Sequence, residues 1–91
     1  MDQKALYEVV RKCGAKVILF SDHPDFFSSW SIRVLKNGKN YLIENDGRDG
    51  WMFFYIELGE GRLQEKERLI SQSLSESEIL CQCEAWLSGL S

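Results

Sequence analysis

Residues 30–58, WSIRVLKNGKNYLIENDGRDGWMFFYIEL, contain the local pattern that decides the fold. Apolar and polar side chains alternate up to Lys36 and again after Lys39, with Asn37 and Gly38 between them. An Asn-Gly pair readily adopts the positive φ angles that a two-residue type I′ turn requires. The segment therefore predicts a β-hairpin in which Lys36 faces Lys39.

This register assigns the side chains of the hairpin to two faces, because successive strand residues point to opposite sides of a sheet. One face is predicted to form the core, because it is uniformly apolar. It carries Trp30, Ile32, Val34, Tyr41 and Ile43.

A second hairpin is predicted across the Asp-Gly-Arg-Asp-Gly turn that follows. A four-residue connection, Asp46 to Asp49, would pair Asn45 with Gly50 and place Ile43 opposite Met52. A connection one residue longer or shorter would exchange the faces of the last strand. In the predicted register the reverse face carries Leu35, Leu42, Trp51, Phe53 and Tyr55, with Arg33 and Glu44 among them.

The chain before this segment predicts one helix and one strand. Apolar residues recur at helical spacing between Ala5 and Cys13, and Gly14 follows as a typical helix end. Lys16 to Phe20, KVILF, is typical of a strand. The next stretch, Ser21 to Ser29, is predicted to be a loop, because it is polar and contains the single proline.

The chain after the segment predicts a second helix. Ser75 and Glu78 fit the S-x-x-E capping box, and apolar residues then repeat at helical spacing up to Leu90. Arg62 to Leu74 is ambiguous, since it could form a helix, or its part Arg68 to Ser73 could form an edge strand. The predicted fold is α+β: an N-terminal helix, an antiparallel meander of about four strands, and a C-terminal helix packed on the sheet.

Length and composition limit the classes of function. A chain of 91 residues with 44% hydrophobic and 27% charged residues predicts a single domain, residues 1–91. Its net charge of −3 provides no positive field for nucleic acid or anionic lipid, so we expect neither as a partner. The longest apolar run, Trp51 to Ile56, is far shorter than the roughly 20 residues of a bilayer crossing. The three cysteines are an odd number and no secretory signal opens the chain, which favours a cytoplasmic location.

Residues that could carry out chemistry occur at unsuitable spacings. Cys13, His23, Cys81 and Cys83 are zinc-ligand types, but Cys81 and Cys83 lie two apart on a predicted helix and point away from each other. His23 follows Asp22 and precedes a proline, which is typical of an exposed turn. No phosphate, dinucleotide, redox or zinc-protease motif occurs. We therefore expect neither an enzyme nor a cofactor or metal site.

The Asp-Gly-Arg-Asp-Gly turn and the aromatic strand after it allow two interpretations each. Asp46 and Asp49 could bind a cation, or they could cap backbone amides of a β-turn, which the spacing favours. Arg48 at the tip, beside aromatic residues, is typical of a binding hot spot. The reverse face with Trp51 and Phe53 could be covered by a helix, or it could be an interface with another molecule.

The two Trp-led strands flanking the Asp-Gly-Arg-Asp-Gly turn, Trp30 to Leu58, resemble the small cytosolic immunity proteins that bacteria pair with secreted polymorphic or contact-dependent toxins. The resemblance covers about a third of the chain. It implies a protein that occludes or distorts the active site of one toxin and has no catalysis of its own. An acidic chain would suit a basic nuclease toxin by charge complementarity.

The residues expected to bind a protein partner lie on the reverse face and in the turn. Acidic side chains would attract a basic toxin domain and the rings would anchor it. The set is Arg33, Glu44, Asp46, Arg48, Asp49, Trp51, Phe53 and Tyr55, with Glu57 as a further acidic contributor. The alternative is a homodimeric structural or adaptor domain, in which the aromatic strand closes an interface with a second copy.

Overall fold

The computed structural model describes residues 1–90 and has the predicted α+β architecture. Its elements are α1 (Gln3–Lys12), β1 (Lys16–His23), β2 (Ser29–Lys36), β3 (Lys39–Asp46), β4 (Trp51–Gly59), β5 (Arg62–Ile70) and α2 (Glu76–Ser88). The strands form one sheet in the order β1-β2-β3-β4-β5, and all neighbours are antiparallel. The sheet has five strands where about four were predicted. Neither helix within residues 1–90 is long and apolar enough to cross a bilayer.

The additional strand is β5, which resolves the ambiguity of Arg62 to Leu74. Glu60 and Gly61 form a two-residue turn with φ angles of 54° and 75°, and this turn folds the chain back so that Gly59 pairs with Arg62. β5 is an edge strand of sequence RLQEKERLI, and most of it is exposed. Charged side chains along an edge strand discourage pairing with another chain.

β1 is longer than the predicted strand, and the loop after it is shorter. Ser21 pairs with Ser31 and Asp22 pairs with Trp30, so the strand continues to His23. The connection to β2 is therefore residues 24–28 rather than the whole of Ser21 to Ser29. Polar composition predicted a loop, but pairing with β2 satisfies the backbone of these residues within the sheet.

The first hairpin has the predicted register and the second differs from it by two residues. Lys36 pairs with Lys39, as predicted. Asn45 pairs with Met52 instead of Gly50, so the connection consists of residues 47–50. The predicted pairing was wrong because Asp46 remains in the strand. A shift of two residues leaves every side chain on its predicted face.

Asp46 determines where this turn begins. Its Oδ1 accepts hydrogen bonds from the amides of Arg48, at 3.0 Å, and Asp49, at 3.2 Å. Its carbonyl accepts a hydrogen bond from the amide of Gly50 at 2.8 Å. The interpretation that an aspartate of this turn caps backbone amides is thus confirmed for Asp46.

Both helices pack on the same face of the sheet, which is the predicted core face. The indole of Trp86 in α2 stacks on Phe54 of β4, with ring centroids 5.1 Å apart and planes at 7°. Its Nε1 donates a hydrogen bond to the carboxylate of Glu67 in β5. The buried core comprises Leu6 and Val10 of α1, Cys83, Trp86 and Leu87 of α2, and Trp30, Ile32, Val34, Tyr41, Ile43, Met52 and Phe54 of the sheet.

Polar contacts at the helix ends fix the helices on this face. Ser75 and Glu78 form the predicted capping box at the start of α2. Near the end of α2, the Lys36 ammonium donates a hydrogen bond to the carbonyl of Leu87 at 2.6 Å. A cation at this position also complements the negative end of the helix dipole. The Lys36 hydrogen bond thus connects α2 to the end of β2.

We expect the substitution Gly47→Ala to destabilise the protein. A Cβ at this position would lie 1.8 Å from the carbonyl oxygen of Phe27, so the loop between β1 and β2 would have to move away from the turn. The free energy of unfolding, measured by urea denaturation, should fall by about 2 kcal/mol or more.

The matched control for this substitution is Gly89→Ala, because there the nearest atom is 3.3 Å from the added Cβ. It should change the free energy of unfolding by less than about 0.5 kcal/mol. Equal stability of both variants would show that the loop and the turn do not approach each other as described.

Candidate functional site

The face of the sheet opposite the helices is the candidate site, and it is called the open face below. No helix within residues 1–90 packs on it, because both helices contact the other face. It therefore corresponds to the interpretation in which the aromatic strand remains uncovered. Its residues, given by the strand register, are Arg33, Leu35, Leu42, Glu44, Trp51, Phe53, Tyr55, Glu65, Arg68 and Ile70.

Three aromatic rings of β4 form a row on the open face, next to the edge strand β5. Trp51 and Phe53 have centroids 6.5 Å apart and planes at 24°, and Phe53 and Tyr55 have centroids 6.0 Å apart and planes at 20°. The three rings are therefore nearly parallel to one another along the strand. All three side chains are half-buried.

Arg68 of β5 covers part of this row. Its guanidinium carbon lies 5.3 Å from the ring centre of Phe53 and 5.9 Å from that of Trp51, which is within the range of a cation–π interaction. The guanidinium also donates two hydrogen bonds of 2.8 Å to the carboxylate of Glu65. These bonds raise the pKa of Arg68. These contacts hold the Arg68 guanidinium against the aromatic row.

Sequence reasoning missed Arg68, because residues 62–74 could not be assigned to a strand. It also missed an apolar rim at both edges of the open face. Leu19 of β1 is 56% exposed, and Leu63 and Ile70 of β5 are 40% and 58% exposed. Alternation alone would not have found both positions of β5, because a register shift in its pairing with β4 brings Leu63 and Ile70, which are an odd number of residues apart, to the same face.

The other predicted residues of the strands also lie on the open face. Arg33 forms an ion pair with Glu57, with 3.5 Å between Nη1 and Oε2. Glu44 pairs across the sheet with Ser31 and Phe53, and its side chain is exposed. Partial burial, and then the carboxylates of Glu44 and Glu65, raise the pKa of Tyr55, so its phenol remains a hydrogen-bond donor at neutral pH.

The predicted residues of the turn lie at one end of the open face. Arg48 and Asp49 are exposed, and Asp46 is half-buried. The amide of Gly47 donates a 3.0 Å hydrogen bond to the Ser29 hydroxyl, so the turn contacts the end of the loop between β1 and β2. The structure thus brings all eight predicted binding residues to the open face or to its end.

The cysteines and the histidine do not form a cluster. Cys83 is fully buried, Cys13 is half-buried and Cys81 is exposed. Burial raises the pKa of the Cys83 thiol to about 12. His23 is exposed at the end of β1. Within residues 1–90, no group of three or more His, Cys, Asp or Glu side chains could hold a metal ion.

No family model, curated protein or solved structure gives a significant match to this chain. The resemblance of Trp30 to Leu58 to immunity proteins therefore stays a prediction.

The three thiols should react with Ellman's reagent in the order of their exposure. At pH 8 a thiol with a pKa of about 12, such as Cys83, is ionised in only about one molecule in ten thousand. We expect Cys81 to react first, Cys13 more slowly, and Cys83 only after unfolding in guanidinium. Peptide mapping would identify each labelled site. Labelling of Cys83 in the native protein as fast as that of Cys81 would contradict the described core.

Proposed function

We propose that this chain is a protein-binding domain that acts through the open face. More specifically, we propose a cytoplasmic immunity protein that neutralises a cognate toxin by occluding it. The observation that carries the proposal is the row of Trp51, Phe53 and Tyr55 on a sheet face that no helix within residues 1–90 covers. Tryptophan, tyrosine and arginine are the residues that most often dominate binding energy at protein interfaces.

The arrangement of the rings favours a protein over a nucleic acid or a sugar. Bases bind aromatic side chains by stacking on a free ring face. Here the rings stack on one another, and the guanidinium of Arg68 lies over two of them. The carboxylates of Glu44, Glu57 and Glu65 on the same side would also repel phosphates.

The size of the molecule is sufficient for a stable complex. Its principal dimensions are 32 × 27 × 20 Å, so its broad side is comparable to the roughly 800 Å² per partner that a standard protein interface buries. The half-buried rings lie on β4, and the ion pairs Arg33–Glu57 and Arg68–Glu65 lie beside them. Aromatic and arginine side chains are both enriched in such interfaces.

The charge of the chain supports a basic partner. The net charge is −3, and Glu44, Asp46 and Asp49 lie at the turn end of the open face. Complementary charge would speed the association with a basic toxin domain and would orient it. In this proposal the carboxylates steer the toxin, while Arg48 and the aromatic row anchor it.

A homodimer is the second candidate, and the exposed apolar rim of Leu19, Leu63 and Ile70 favours it. A symmetric interface between two open faces would remove these side chains from water. Sedimentation at micromolar concentration distinguishes the two functions. A strict monomer excludes the homodimer, whereas a dimer that persists in the presence of the partner would contradict docking on this face.

We expect the substitution Phe53→Glu to abolish partner binding without unfolding the domain. The substitution removes the central ring of the aromatic row, and loss of an aromatic hot-spot side chain at an interface commonly costs about 2 kcal/mol or more. The partner to test is the product of the neighbouring gene, coexpressed with the chain. Affinity measured by calorimetry should fall at least about 100-fold, equivalent to about 2.7 kcal/mol.

The matched control is Leu58→Glu on the same strand. Leu58 is 50% exposed and lies at the irregularity near the end of β4, so this variant adds the same charge beyond the aromatic row. It should bind the partner with unchanged affinity. If both variants lose binding equally, or if neither variant loses it, the proposed site is wrong.

A further inference from the structure

A surface hollow of about 310 Å³ lies where the open face meets the loop between β1 and β2. Its lining includes Phe26 of the loop and the acidic residues Glu44 and Asp46 of β3. His23 and Ser31 also contribute to its wall. The hollow is therefore acidic and aromatic at once, and it is continuous with the open face through Glu44.

The two carboxylates of the hollow retain acceptor capacity. Within residues 1–90 the side chain of Glu44 makes no ion pair and no hydrogen bond. Asp46 uses its Oδ1 for the amides of the turn, and its Oδ2 accepts no hydrogen bond from any residue of that range. Arg48 in the same turn forms no ion pair with either carboxylate among these residues.

The loop holds the Phe26 ring at the mouth of the hollow. Its backbone is closed by hydrogen bonds from Phe26 to the His23 carbonyl and from Ser29 to the Phe26 carbonyl, both 3.0 Å. Phe27 packs edge-on against Phe26, with centroids 5.3 Å apart and planes at 79°. Phe26 is nevertheless 56% exposed, so part of its side chain is accessible to a ligand.

We propose that this hollow binds one arginine side chain of the protein partner. A guanidinium donates hydrogen bonds in a planar fork that matches carboxylates, and it also stacks on aromatic rings. Glu44 and Asp46 would accept the hydrogen bonds, while Phe26 would contact the planar face of the cation. A lysine ammonium would satisfy the charge but not the stacking geometry.

The inference rests on the proposed function for the source of the arginine. It deepens that proposal, because it names the side chain that a basic partner would insert beside the aromatic row. The chemistry of the hollow can nevertheless be tested on the free protein with a small probe.

The experiment is a titration of the ¹⁵N-labelled protein with N-acetyl-arginine amide, followed by NMR. The amide signals around Ser31 and Glu44 should shift, with a dissociation constant in the millimolar range, about 4 kcal/mol or less of binding free energy. N-acetyl-lysine amide should bind at least about threefold more weakly. N-acetyl-citrulline amide, which has nearly the same shape but no charge, should cause no shift at these positions.

Variants locate the binding to the hollow. Glu44→Gln should weaken arginine binding at least about fivefold, and Phe26→Leu about threefold. The matched control Glu60→Gln removes an exposed carboxylate from the turn between β4 and β5, at the opposite end of the sheet, and should leave it unchanged. Equal binding of the citrulline probe, or an unchanged affinity in Glu44→Gln, would overturn the inference.

The outcome separates this inference from the proposed function. If the neighbouring gene product binds the open face but the arginine probe does not bind the hollow, only the inference fails. If the probe binds the hollow but no protein partner depends on Phe53, the proposed function fails and the hollow remains a guanidinium site.

Discussion

The packing of both helices on one face of the sheet is the constraint on which the rest of the structure depends. The stack of Trp86 on Phe54 and the hydrogen bond from Lys36 to the carbonyl of Leu87 hold α2 there. Lys12 of α1 forms an ion pair of 3.0 Å with Glu84 of α2, so the helices also hold each other. A two-layer domain of this kind has one core, and the second face of its sheet is left without a covering element.

The side chains of the open face shield part of its apolar surface from water, although no helix within residues 1–90 covers this face. The three rings of β4 bury surface against one another, and the guanidinium of Arg68 covers two of them. Leu42 of β3, which pairs with Tyr55, is only 6% exposed. The apolar rim at β1 and β5 receives no such cover within residues 1–90. The face is thus ordered enough to persist in water and apolar enough to gain free energy from docking.

Sequence reasoning succeeded where one strong local signal determined the structure, and it failed where distant contacts did. The Asn-Gly turn was sufficient for the register of the first hairpin. The predicted pairing of the second hairpin differed from the structure by two residues. The sequence alone does not show that Asp46 belongs to β3, because this depends on the hydrogen bonds that its side chain and carbonyl form in the turn. Apolar residues do not recur at a regular spacing in β5, so only its pairing with β4 identifies this segment as a strand. The hollow depends on the approach of the loop to Gly47, which no local pattern indicates.

The central claim is that the aromatic row faces solvent in the free protein. It is tested most directly by NMR relaxation of ring protons in the presence of a soluble gadolinium chelate at low protein concentration. The account predicts strong relaxation of Trp51, Phe53 and Tyr55 and weak relaxation of Trp30, which is 3% exposed in the core. Protection of Phe53 equal to that of Trp30 would show that another element covers this face, and it would contradict the account.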